Sequence, residues 1–173
     1  MKSLKSKSIK SIFISRLETL EHLIEKGAKH FESEPDKIFG LQLISDMHAL
    51  GTQVVFTCNQ PHNFSLWCEG KKNQNIDIYI KTVSQAKELI SEVKAHLDRI
   101  MIQDSKFSEI TTLELGDSMY LELSGEAYLE EFLMPTFYFH LVTVYDILRM
   151  SGVQIGKRDY MLHLVPKVRQ REV

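Results

Sequence analysis

The stretch SGEAYLEEFLMPTFYFHLVTVYDILRMSG, residues 124–152, decides the fold. Leu129, Phe132, Leu133, Phe137, Val144, Ile147 and Leu148, with His140 among them, recur three or four positions apart. That spacing lines one face of a helix. Ser124 is placed to cap its start and Gly152 to end it, so a helix is predicted from about Gly125 to Ser151. Pro135 falls inside it and should bend it, because proline lacks the N–H that an interior helical position donates.

Three more segments carry the same periodicity. Ile9, Ile12, Phe13, Leu17, Leu20, Leu23, Ile24 and Phe31 define a first helix, ended before Pro35. A second is predicted to start near Asp46, capped by Ser45 or Asp46. It runs through Met47, Leu50, Val54 and Cys58 to Trp67, with a kink at Pro61 and a stop at Gly70. A polar loop, Lys71 to Asn75, then leads into a short extended piece at Ile76, Ile78 and Ile80. Thr82-x-x-Gln85 reads as a capping box opening a third helix through Val83, Ala86, Leu89, Ile90, Val93, Leu97 and Ile100. The period then changes. Thr111–Leu115 and Met119–Leu123 flank Gly116-Asp117-Ser118, a β-hairpin with a three-residue turn.

Four apolar stripes bury one another most economically by packing together. The expected fold is therefore all-α: a four-helix bundle in one domain over residues 1–173, with the hairpin between helices three and four. Residues 161–173 should form a peripheral tail.

Composition narrows the function. The chain is 43% hydrophobic and 25% charged, as in ordinary globular domains. A net charge of −2 argues against a phosphate-neutralising, nucleic-acid-binding role. No stretch approaches the ~20 apolar residues of a membrane span. Lys2, Lys5, Lys7 and Lys10 precede no apolar run of a signal peptide, so a cytoplasmic protein is expected. Cys58 and Cys68 would lie roughly 15 Å apart on one helix, beyond disulfide reach, and read as reduced thiols.

The string Met134 to His140, Tyr145, Ile147-Leu148-Arg149, Gly152 and Ile155-Gly156-Lys157-Arg158-Asp159-Tyr160 resembles an uncharacterised bacterial and fungal family within the DinB/YfiT-like metalloenzyme superfamily. Asp46-Met47, Gln53 and Gly70 are similar to it as well. The resemblance implies an up-down-down-up DinB-like bundle with a long crossover between helices two and three, and frequent homodimers. It also implies a divalent metal held by one His on helix two and a His-x-x-x-His pair on helix four, serving hydrolysis or transfers involving small thiols. His140 matches the second His of that pair, Thr136 stands four residues earlier, and Asn59-Gln60 occupies the helix-two position. One of the three ligands is thus retained.

The expectation is a DinB-like bundle without a tightly bound metal or other cofactor, binding a small apolar ligand or acting through its dimer. The alternative is a zinc- or nickel-dependent hydrolase or thiol-dependent transferase. There His140 would be joined by His62 or His48. With helices two and four antiparallel, His140 should lie level with Thr57, placing His62 and His48 about 8 and 13 Å away along the axis. His140, Thr136, Gln60, His62 and Tyr145 are the candidate pocket. Lys157-Arg158-Asp159 is either an anion or interface contact or a turn pinned by an Arg–Asp pair. A homodimer is expected because Phe137, Tyr138 and Phe139 fan over about 200° of one helix, more than one core can cover.

Overall fold

A computed structural model describes residues 4–171. Its long helices are α1 (Leu4–His30), α2 (Leu50–Cys68), α3 (Val83–Arg99) and a fourth made of α4 (Gly125–Ala127), a π-helical turn (Tyr128–Leu133) and α5 (Met134–Met150). A hairpin of β1 (Ile110–Gly116) and β2 (Met119–Ser124) precedes the fourth helix. A short helix, α6 (Lys157–Tyr160), and a 3₁₀ turn (Leu162–Lys167) follow it. No helix among the described residues is long and apolar enough to cross a membrane.

Contacts between side chains give the helix directions. Phe13 meets Phe137 near the start of α5, and Gly27 faces Leu148 near its end, so α1 and α5 are parallel. Gln53 meets His140 while Trp67 meets Tyr128, so α2 runs against the fourth helix. Lys94 pairs with Glu21 and Lys87 with Glu25, while Lys10 reaches the Asp98 carbonyl, so α3 runs against α1. The topology is up-down-down-up, as expected for a DinB-like bundle. Phe13, Leu17, Leu20, Phe64, Leu97, Phe137 and Leu141 fill its fully buried centre.

Because α2 and α3 point the same way, the link between them must travel back along the bundle. Nineteen residues of α2 span about 28 Å, which roughly nine extended residues cover. The extended piece anticipated at Ile76–Ile80 lies here, but it pairs with no strand: the only ladder among the described residues is β1–β2. Its backbone is held by side chains of α2 instead. The Ile76 N–H donates to Asn59 Oδ1 at 2.7 Å and the Gln74 N–H to Asn63 Oδ1 at 2.9 Å. The Tyr128 hydroxyl donates to Asn73 Oδ1 at 3.1 Å. At its far end Ile80 is buried, and its carbonyl oxygen packs so close to Gly51 that a Cβ there would strike it. These partners explain why the amides of Asn59 and Asn63 are buried in a hydrophobic bundle.

Three local expectations are corrected. The second helix starts at Leu50, capped by Ala49, and not near Asp46. Residues 41–48 fold instead as turns, with Met47 N–H on Ile44 O and Gln42 Nε2 on Met47 O at 2.7 Å. Before Pro35–Gly40, which form a 3₁₀ turn, the chain leaves α1 as anticipated. The fourth helix meets Pro135 with a π turn: Met134 N–H reaches back five residues to Leu129 O. Widening the helix there carries the chain past the carbonyl that the proline ring would otherwise strike. The hairpin turn has two residues, not three. Gly116 pairs with Met119, and Asp117 and Ser118 both take positive φ, 48° and 62°, the conformation that matches strand twist. Asp159 is not held by Arg158 but by His22 of α1 at 2.8 Å, with Lys26 at 3.8 Å and the Gly156 N–H at 2.9 Å. The capping box is as read: Thr82 Oγ1 accepts from Gln85 N–H, and Gln85 Oε1 accepts from Thr82 N–H.

Candidate functional site

The first turn of α2 and the middle of α5 meet at Gln53 and His140. His140 Nδ1 lies 2.8 Å from Gln53 Oε1. The other end of the same amide, Nε2, donates to the His48 carbonyl at 3.3 Å. That second bond fixes which way the amide faces, so an oxygen is presented to the imidazole and His140 must donate through Nδ1–H. Gln53 is only 2% exposed, so the clasp works away from water.

A neutral imidazole with its proton on Nδ1 carries its lone pair on Nε2. That nitrogen has no protein partner, and it is not among the buried orphan atoms, so it reaches the surface. Burial pulls the His140 pKa down to about 4, and the charge of His48 pushes the same way. At neutral pH His140 is therefore an acceptor or base, not a cation.

Aromatic rings surround it. Phe56, one turn beyond Gln53, packs against both imidazoles, His140 at 5.0 Å between ring centroids and His48 at 5.2 Å. Phe139 packs edge-on against His140 at 5.2 Å and is 58% exposed. The result is a surface cluster of rings around one oriented nitrogen acceptor, called the mouth below.

Of the residues singled out in the sequence, the structure brings His140 and His48 together at Phe56. The helical ruler placed His48 too far away for two reasons. His140 lies level with Gln53 and Phe56 rather than Thr57, and His48 belongs to the turn before α2 instead of to the helix. Thr136 is half-buried one turn before His140. Gln60 is buried and gives its amide N–H to the Phe56 carbonyl at 3.3 Å. His62 faces α3, its ring 6.1 Å from His96, and Tyr145 packs on Tyr160 at 6.0 Å. Neither belongs to the mouth. Phe56 was missed. The signal was available in the spacing: Gln53, Phe56 and Gln60 are three and four apart and share a face of α2.

Two of the three positions at which the resemblance implied histidine ligands carry other residues, Asn59-Gln60 on α2 and Thr136 on α5. Asn59 spends its oxygen on the crossover backbone, and Thr136 offers a hydroxyl that would have to lose a proton. No group of three or more His, Cys, Asp or Glu able to hold a metal occurs among the described residues. Cys58 and Cys68 are buried and unpaired, and burial raises both thiol pKa values, Cys68 to about 12. Neither is a ready nucleophile.

Among solved structures the chain is similar to a DinB family member protein from Shewanella denitrificans. The two share 23% sequence identity over 88% of each chain, with a TM-score of 0.74, a likeness of fold. No curated protein matches the chain. The profile of a domain of unknown function, DUF1993, matches residues 6–161, which is nearly all of the bundle and includes every residue of the mouth. The chain belongs to this DUF1993 family and has the DinB-like bundle.

Proposed function

We propose that the mouth formed by His48, Phe56, Phe139 and His140 binds a small, largely apolar ligand bearing one hydrogen-bond donor, without a tightly held transition metal. The observation that carries this reading is the Gln53 clasp, which orients a neutral imidazole and leaves its Nε2 lone pair accessible between aromatic rings. Aromatic walls supply apolar contact, and the single acceptor supplies orientation. Phenol is a suitable probe. Titrated into the protein at pH 7, it should shift the His140 ring resonances saturably, and His140→Leu should weaken binding about tenfold. A shift that never saturates would overturn the proposal.

The alternative is a metal-dependent hydrolase or thiol-dependent transferase. His48 and His140 packed against one ring favour it, but it requires a third ligand from outside the His, Cys, Asp and Glu side chains of the mouth.

The same helix supports a homodimer. Phe137 is fully buried, whereas Phe139, Val142 and Met150 are 58%, 39% and 57% exposed along the outer face of α5. A second copy is the proposed cover for that face. Light scattering should give twice the chain mass of 20.1 kDa, and a value near 20.1 kDa would count against it. Two buried, unpaired cysteines favour a reducing compartment, the cytoplasm.

A further inference from the structure

A cleft of ≈ 390 Å³ opens between the first half of α1 and the 3₁₀ turn Leu162–Lys167, far along the chain from the residues of the mouth. From α1 come Ser8, Ser11 and Ser15, spaced three and four apart on one face, together with Arg16. From the C-terminal turn come His163 and Lys167. No carboxylate lines the cleft.

Three features of this group are unusual. Arg16 is half-buried, and its Nη1 donates to Ser15 Oγ at 2.8 Å, so a neutral hydroxyl holds it rather than an acid. Neither Arg16 nor Lys167 has a carboxylate at ion-pair distance among the described residues, whereas Lys26, Lys87 and Lys94 do. His163 Nδ1 is the one buried side-chain nitrogen or oxygen among the described residues without a hydrogen-bond partner. A buried polar atom left unpaired is costly, and native structures seldom keep one without a reason. Two cations line the same cleft with no acid to balance them, so the cleft favours an anion.

We infer that this cleft is a binding site for a phosphate-type anion, either free phosphate or the phosphate group of a small phosphomonoester. Arg16 supplies a planar set of N–H donors and Lys167 a mobile charge from the rim, with the His163 ring in the wall of the cleft beside them. The hydroxyls of Ser8 and Ser11 can meet the remaining oxygens. Burial and the charges of Arg16 and Lys167 hold the His163 pKa low in the empty cleft, and a bound dianion opposes that effect.

The test follows the His163 ring resonances of the full chain by NMR at pH 7 while sodium phosphate replaces sodium chloride at constant ionic strength. A saturable shift with millimolar phosphate is expected. Arg16→Gln should weaken binding about tenfold, and Lys167→Gln about threefold, as expected for charge-assisted donors of which one is exposed. Lys167 is on the surface, so its variant folds even if loss of Arg16 disturbs α1. Phenyl phosphate as a parallel probe separates the two sources: binding tighter than inorganic phosphate assigns a phosphomonoester, and equal binding assigns the free ion. No saturable shift up to about 20 mM of either probe, a limit weaker than functional binding, would overturn the inference. So would equal shifts in wild type and both variants, the mark of an adventitious ion only.

Discussion

Replacing His140 with leucine tests the clasp at the centre of the mouth. A similar-sized apolar replacement in a well-packed site costs about 1–2 kcal/mol by itself. Here it also strips the partner from Gln53 Oε1, on a residue only 2% exposed, which adds roughly 1–3 kcal/mol for an unsatisfied buried acceptor. His140→Leu should therefore cost about 3 kcal/mol. Gln53→Leu removes the amide altogether and leaves the Nδ1–H of the half-buried His140 without its partner, so about 1–2 kcal/mol is expected. The double variant has no orphan. Its cost should fall short of the sum of the singles by about 1–1.5 kcal/mol. Urea unfolding at pH 7 of the four proteins closes this cycle. If the two single costs add within about 0.3 kcal/mol, the amide and the imidazole are not coupled and the reasoning is refuted.

The same imidazole should appear in the pH dependence of stability. Its folded-state pKa, about 4, lies below the unfolded value near 6.5, so between these limits the unfolded chain binds more protons. Stability should rise with pH across that window and lose this contribution to the slope above it. After allowing for solvent screening the rise is about 1–2 kcal/mol, and unfolding at pH 4.5 and 7 should show His140→Leu without that part of it. A second prediction concerns the crossover. Asn59→Leu leaves the Ile76 N–H without its 2.7 Å partner and should cost about 2–3 kcal/mol, with hydrogen exchange accelerated at residues 74–80; unchanged exchange there would show that the side chain is not the anchor.

What the sequence reveals is what is local. Thr82 and Gln85 stand three apart and form the box their spacing announces, because each bonds the other's backbone N–H. Periodic stripes identified all four bundle helices, since a stripe must be buried whatever the details of its neighbours. The start of α2 was misjudged for the opposite reason. Ser45 and Asp46 are good capping residues, yet the helix begins at Leu50 behind Ala49, which offers no side-chain bond. Tertiary contacts of the preceding turn, such as Leu50 N–H on Leu41 O, outweigh a cap of about 1 kcal/mol. That shift spoiled the axial ruler and hid His48 from His140. Asn59 looked like a stand-in for a metal ligand, whereas its partner and that of Asn63 lie seventeen and eleven residues away on an unpaired segment that periodicity cannot describe. The anion cleft was equally hidden, because its two sides, Ser8–Arg16 and His163–Lys167, lie at opposite ends of the chain.

The most direct test of the proposed function is the metal content of protein purified without a metal-affinity column. One oriented imidazole, with Thr136 one turn earlier on its helix and Gln60 able to offer at most a neutral amide oxygen, is a weak set for zinc or nickel. Elemental analysis should find well under one equivalent of transition metal per chain, and micromolar zinc or nickel should leave the melting temperature unchanged. A near-stoichiometric metal content, abolished by His140→Leu, would contradict the metal-free reading and make His48 the first second ligand to replace.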